Sequence, residues 1–346
     1  MSKTLQDYAT LINDTIQSNE INHYITTDNM RQNLGGIDTL KNINIPQGKV
    51  RSFQKDDVLL SNIRLYFRKV YKAKQKGGCS SDILVFRAKH IDSATLFAIL
   101  SSQIFTDYAC LGSQGSKMPR GNKTHMMDFK IPTINFTIAK IFNSIQNKIE
   151  NNHKINELLH TLAYKIYGYY FKYKPKNAKL EQIIIENPKS SIMVKNAQKT
   201  QDKYPFFTSG DNILSYPKAI IDGRNCFLNT GGNAGIKFYV GKASYSTDTW
   251  CICANEFSDY LYLLLSSIKT HINQSFFQGT SLKHLQKNLL KKYPIYMPSA
   301  HEIKKFNQII MPLLTLISIN TRISKKLEQI RDFLLPLLLK QQVKPQ

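Results

Sequence analysis

The sequence predicts an α+β protein in which two globular mixed α/β segments alternate with two long helices, as an internal repeat. Three observations carry this expectation. First, Ile138, Ile141, Ile145, Lys148, Asn152, Ile155, Leu159, Leu162, Ile166 and Tyr169 alternate steps of three and four, and Phe306, Ile309, Leu313, Leu316, Asn320, Ile323, Leu327, Ile330, Leu334 and Leu337 repeat the steps 168 residues on. Such a/d spacing over four heptads or so predicts a coiled-coil seam. Second, each run is preceded by a glycine-containing stretch and an apolar–proline pair: Gln114 to Met118 before Ile131-Pro132, and Gln278 to Leu282 before Met297-Pro298. Third, strand-like runs recur upstream, with Asp57 to Asn62 answered by Asn225 to Thr230, again 168 residues later. Duplication followed by divergence accounts for all three.

Taken in order, residues 1–133 form the first globular domain, with strand-like Asp57 to Ile63 and Ser81 to Phe86 and a helix-like run from Ser93 to Phe105. Residues 134–178 hold the first spacer helix, Asn135 to Phe171, and a link that starts at Lys172. At 1.5 Å per residue that helix is on the order of 55 Å long. Residues 179–298 form the second globular domain, with strand-like Gly235 to Val240 and Thr249 to Cys253 and a helical Tyr260 to Asn273. Residues 299–346 hold the second helix, His301 to Lys340, and a tail. Pro312 and Pro336 lie inside it and predict a kink or break, because each removes a backbone donor. The residue before a proline is pushed off the α region, so Pro132 and Pro298 mark the helix starts. Asn152 and Asn320 interrupt the two apolar runs at matching positions. Two such amides buried together would set helix register at some cost in stability; facing outward, both would simply be solvated.

Composition narrows the partners. The chain has 346 residues, 47 Lys and Arg against 24 Asp and Glu, and a formal net charge of +23. Such a balance favours a polyanion, nucleic acid first, since each neutralised phosphate releases a counterion. A Lys, Ile and Asn-rich drift in composition is the competing explanation. No apolar run reaches the roughly 18 residues of a membrane span, so a soluble, cytoplasmic protein with no membrane partner is expected. Cys79, Cys110, Cys226, Cys251 and Cys253 form no Cys-x-x-Cys pair, which predicts neither a zinc site nor a disulfide framework.

Catalytic spacings are missing. Gly231-Gly232-Asn233-Ala234-Gly235 has no following Lys-Ser or Lys-Thr, so it is no phosphate loop. No Asn-Pro-Pro-aromatic or Asp-Pro-Pro-aromatic tetrad is present to hold an adenine, no His-Glu-x-x-His occurs, and acidic residues are sparse. The expectation is a noncatalytic chain without metal or cofactor of its own. Binding elements are plainer. Gly115 to Lys123 puts Lys117, Arg120 and Lys123 beside two glycines, which suits close approach to a phosphate backbone. Ser61 to Lys69 offers Asn62, Arg64 and Arg68, and the second half offers Asn229, Thr230, Asn233, Lys237, Lys242 and Tyr245. Asn and Arg are the side chains that pair with base edges.

The ordered series Ser61-Asn62-Ile63-Arg64, Gly77 to Asp82, Lys117 to Lys123, Phe129 to Pro132 and Lys148 to Asn152 resembles the DNA specificity subunit of a type I restriction-modification system. Tyr204 to Ser209, Gly231 to Gly235 and Gly241-Lys242-Ala243 extend the likeness over essentially the whole chain. The resemblance implies two target recognition domains that read a bipartite, asymmetric double-stranded DNA site. It implies antiparallel spacer helices, related by a pseudo-two-fold, that set the gap between half-sites. Two methyltransferase subunits and the restriction (motor-nuclease) subunits would be its partners, with S-adenosylmethionine, ATP and Mg²⁺ on those subunits. Two other readings stay open: a basic DNA-binding protein without sequence specificity, and an enzyme whose site follows no known spacing.

Overall fold

The structure, a computed structural model, describes residues 3–39, 41–197, 203–210 and 213–339. It divides into two compact units, Met1–Lys154 with Ser324–Gln346, and Ile155–Ile323. Each unit therefore holds one globular segment and part of both long helices.

In the first unit a four-stranded sheet has the order Ala9–Ile12, Ile83–Ala88, Val58–Ser61, Val70–Lys72, every neighbour antiparallel. Its central strands are apolar on both faces, and Val58, Leu59, Leu60, Ile83, Leu84, Val85 and Phe86 are all buried, because helices cover one side and a second small sheet the other. That second sheet has the order Thr15–Gln17, Lys49–Phe53, Gly77–Cys79, Tyr24–Ile25. The second unit repeats the main sheet order: Ile185–Glu186, Thr249–Cys253, Arg224–Asn229, Ile236–Val240, again all antiparallel. Leu214–Tyr216, Tyr204–Phe207 and Ser244–Tyr245 form its smaller sheet.

The helical run expected from Ser93 is two helices, Ser93–Ser101 and Gln103–Leu111. Ser102 is extended between them, and its hydroxyl accepts the Phe105 N–H, so a buried cap has replaced one helical residue. The run expected from Tyr260 also divides, into Ser258–Ser267 and Lys269–Ser275, at Ile268, which provides no side-chain cap.

The long helices span Phe136–Phe171 and Ala300–Leu338. Asn135 caps the first by accepting the Ile138 N–H. Ser299 and Glu302 cap the second reciprocally, Ser299 N–H to the carboxylate and Glu302 N–H to the Ser299 hydroxyl. The Ser299 N–H, with the Tyr296 hydroxyl, holds the Glu302 carboxyl down at about 2. Of the kink or break expected at Pro312 and Pro336, a break does not occur: the second helix runs on through both. Both prolines are exposed, as are Gln308 and Asp332, whose carbonyls lose their donors, so those carbonyls lie on a solvent-facing side of the helix.

Most of the buried stripe on each helix lies one residue beyond the expected seam, while Asn152, Phe306 and Asn320 of that seam are themselves buried. In the first unit it comprises Ala139, Phe142, Gln146, Ile149 and Asn152, with Ser324, Arg331, Leu335 and Leu338 on the other helix. In the second unit Ala163, Tyr167 and Phe171 share a core with Ile303, Phe306, Ile310, Leu314 and Ile317. Hydrogen bonds within each unit run antiparallel in one register: Asn135 N–H to the Leu338 carbonyl, Arg331 to Gln146 at 3.1 Å and Asn152 to Ser324 at 3.1 Å in the first, Asn320 to Asn156 at 3.0 Å in the second. Asn152 and Asn320 are both buried, but each amide is spent on a residue four positions from the one expected. Several residues of the expected seam are solvent-facing, from Ile155, Ile323 and Leu316 at 40, 40 and 41% to Tyr169 at 87%. One residue is about 100° of helix rotation, so an apolar stripe flanks the buried one on each helix.

Candidate nucleic-acid interface

In the first unit the strand Val58–Ser61 runs out into Asn62 to Arg64. The Asn62 N–H donates to the Asp82 carbonyl at 2.8 Å, and its own carbonyl accepts from Gly121 N–H. Arg64 takes a left-handed conformation, φ +50°, which turns its N–H onto the Pro119 carbonyl at 2.9 Å, while Nη2 donates to the Lys117 carbonyl at 3.2 Å. That conformation costs a residue with a Cβ on the order of 1 kcal/mol and persists where the surroundings hold it. The segment it grips is a hairpin. Gln114 and Arg120 exchange both backbone hydrogen bonds, at 2.9 and 2.8 Å, and Gly115 at φ +100° makes the turn. Gly121 fits closely next: a Cβ there would sit 2.0 Å from the Met126 methyl, so the end of that buried side chain would have to shift. Asn122 then caps the short helix Lys123–Met127.

The structure thus gathers Asn62, Arg64, Lys117, Arg120 and Lys123 on one loop cluster. Lys117, Arg120 and Lys123 are exposed, and Arg120 is tied to Asp82 at 2.8 Å with 62% of its side chain still in solvent. An exposed pair of this kind opens at little cost. Arg68 lies apart. Its Nη2 donates to the Ser101 carbonyl at 2.8 Å between the two short helices, and burial pulls its pKa down.

In the second unit the strand Arg224–Asn229 ends at Thr230, whose N–H and hydroxyl both donate to the Asp248 carbonyl, at 3.1 and 2.8 Å. Asn229 is buried and donates to the Asn233 carbonyl at 3.1 Å, closing the loop over Gly235. The Lys237 ammonium donates to the Thr208 and Gly210 carbonyls, each at 2.7 Å. Asn229, Thr230, Asn233 and Lys237 therefore form one cluster, in which Asn233 is the exposed member. Lys242 sits past the opposite end of the strand Ile236–Val240, where it lines a cleft of about 480 Å³ with Tyr204, Lys218 and Asp222. Tyr245 is buried, its ring edge-on to Phe227 and its hydroxyl donating to the Pro188 carbonyl.

Sequence reasoning did not include Leu282, Lys283 and His284 among its site residues. They belong to a second hairpin, Phe277–Gln278 paired with His284–Leu285, with Gly279 at φ +140° in the turn. Its Lys283 carbonyl accepts the Gly232 N–H at 2.9 Å, and Leu285 N–H donates to Thr230 at 3.0 Å. The signal was available in the recurrence of Gln-Gly at 114 and 278.

Among the described residues, no three His, Cys, Asp or Glu side chains lie together to hold a metal. Burial raises the Cys79 thiol to about 12 and pushes Cys226 and Cys251 up as well, so none of these three is a nucleophile at neutral pH. No single described helix is long and apolar enough to cross a membrane.

Residues 176–329 match the family model described as "Type I restriction modification DNA specificity domain". Among solved structures, the S subunit of a type I restriction-modification system from M. genitalium is similar over 99% of this chain and 96% of its own, at 14% identity and a TM-score of 0.65. The HsdS subunit of Thermoanaerobacter tengcongensis aligns over 98% of this chain and 96% of its own, at 12% identity and a TM-score of 0.36. No curated protein matches.

Proposed function

We propose that the whole chain is the noncatalytic specificity subunit of a type I restriction-modification system, a reading supported by the match of residues 176–329 to the family model described as "Type I restriction modification DNA specificity domain". It reads a bipartite, asymmetric double-stranded DNA site, one half with each globular domain, and scaffolds the subunits that act on the DNA. The observation that carries this is the repetition of one sheet order and one helix order in both units, with unlike residues at the strand ends. A repeated frame with unlike reading residues recognises two different half-sites. The long helices, in one antiparallel register within each unit, act as a pseudo-two-fold coiled coil that sets the gap between the halves. DNA contact falls to Asn62, Arg64, Lys117, Arg120 and Lys123 in the first domain, and to Asn233 with its neighbours Asn229, Thr230 and Lys237 in the second. Arg68, Lys242 and Tyr245 serve the frame or its periphery.

The exposed apolar stripes are the docking faces for two methyltransferase subunits, whose helices complete a bundle around the pair. Motor-nuclease subunits join that assembly, and S-adenosylmethionine, ATP and Mg²⁺ belong to these partners. The test of function is to express the chain with its genomically adjacent methyltransferase subunit and map N6-methyladenine in host DNA. The expected result is a split, asymmetric motif that disappears without this chain. A chain that binds any DNA equally and yields no motif is a general DNA-binding protein instead. The docking faces have a separate test. Ile155→Lys with Leu162→Lys, at positions 40 and 46% exposed, leaves stability within about 0.5 kcal/mol, as surface changes do. Co-purification of the methyltransferase is lost; retention at full stoichiometry places the partner elsewhere.

A further inference from the structure

The hairpins Gln114–Arg120 and Gln278–His284 are built alike in both units. Each opens on Gln-Gly followed by Ser or Thr, with the glycine at positive φ. Each exposes one apolar side chain at the same place in the turn, Met118 at 52% and Leu282 at 57%. Each offers the carbonyl of the following residue, Pro119 or Lys283, to a residue in the left-handed region just past the central strand, Arg64 or Gly232, both at 2.9 Å. The turn is thereby locked to the strand end that carries the candidate reading residues. Lys117 stands before the apolar tip in one unit and Lys283 after it in the other, both exposed.

The features these hairpins share, the locked turn, the apolar tip and the adjoining lysine, cannot be what makes the two half-sites differ. They must meet something common to both. A single exposed apolar side chain among cations is too small a surface for a protein partner, but it suits a DNA groove flanked by phosphates, where Met and Leu serve as apolar contacts. We infer that the two hairpins are sequence-independent DNA anchors: Met118 and Leu282 pack against the groove wall while Lys117 and Lys283 neutralise phosphates, so that each domain is seated on its half-site in the same way. Base discrimination is left to residues that differ between the units. The inference rests on the proposed DNA-reading function and adds a division of labour within it.

The test uses the full chain in complex with the methyltransferase subunit and two double variants, Lys117→Ala/Lys283→Ala and Met118→Ala/Leu282→Ala. All four side chains are exposed, and unchanged melting and co-purification establish that the variants are folded and assembled. Affinity is measured over a range of salt on a duplex carrying the mapped motif and on an unrelated duplex. The lysine variant is expected to weaken both by a similar factor, about tenfold or more, and to reduce the slope of log K against log salt by about 2, at about 0.9 per lost phosphate contact. The apolar variant weakens both with the salt slope unchanged, and neither variant changes the methylated motif. A motif relaxed in one half makes the hairpins base readers and overturns the inference. So does unchanged affinity at every salt concentration, or loss of the methyltransferase instead of DNA. Failure of the unmutated complex to produce a motif is a different result, which counts against the DNA-reading function itself.

Discussion

Arg224→Ala is expected to destabilise the second unit by about 3 to 5 kcal/mol, the cost of removing one partner from a buried ion pair. Arg224 stands at the start of the central strand, and its Nε and Nη2 donate to the two oxygens of Asp259, whose side chain is 2% exposed. Its Nη1 donates to the Thr315 hydroxyl at 3.0 Å, which joins sheet, short helix and long helix within the unit. Burial pushes the Asp259 carboxyl above the usual carboxylate value even though Arg224 pulls it down. Without the guanidinium that rise grows. A carboxyl whose pKa is higher folded than unfolded binds its proton more tightly in the folded state, so stability increases as pH falls. The loss in Arg224→Ala is therefore smaller at pH 5 than at pH 8, as measured by chemical denaturation at each pH. Arg224→Met with Asp259→Leu should recover most of it. A loss below about 1 kcal/mol, equal at both pH values, would mean that the pair is effectively solvated.

Phe306→Ala is expected to cost a similar about 3 to 5 kcal/mol, through the cavity it leaves. Phe306 is fully buried, with its ring edge-on to Phe171 at 4.9 Å, and Phe171 in turn meets Tyr260 at 5.2 Å. These three rings bind the end of one long helix, the start of the other and the short helix Ser258–Ser267 into one core. Tyr169→Ala, two positions from Phe171 and 87% exposed, stays within about 0.5 kcal/mol. A comparable loss at Tyr169, or none at Phe306, would show that the burial of this helix face is misassigned. On the proposed function, Phe306→Ala should also abolish the split motif in the methylation assay, because the second domain would be the reader of one half.

Much of the architecture was legible in the residues. The heptad spacing announced two long helices in step, and both are present as single elements. The strand-like runs at Val58, Ile83, Arg224, Ile236 and Thr249 became strands of the main sheets, where short apolar runs fit a pleated, partly or fully buried surface. The cationic loop Gly115 to Lys123 proved to be an exposed cluster around Asn62 and Arg64. Tyr245 was not legible in this way. A tyrosine in a polar stretch looks like a contact residue until the fold carries its ring against Phe227. Lys237 likewise looks like a free cation until the loop at Thr208 brings two carbonyls to it.

By itself the sequence determined that there are two helices, two similar domains in alternation with them, and a basic surface. It did not determine which stripe of each helix is buried. Two stripes lie one residue apart, and the more apolar one, with Ile141, Ile155, Leu162, Ile309, Leu316, Ile323 and Ile330, is the exposed one. In the first unit the buried one mixes Ala139 and Phe142 with Gln146, Asn152, Ser324 and Arg331, whereas in the second it is apolar along Ile303, Phe306, Ile310, Leu314 and Ile317. Only the tertiary structure decides for it. Small side chains let the backbones approach, and polar ones find hydrogen-bond partners across the seam that their own helix cannot supply. Hydrophobic periodicity ranks side chains by their dislike of water. It does not register partners that become available only when residues some 170 positions apart in the chain meet.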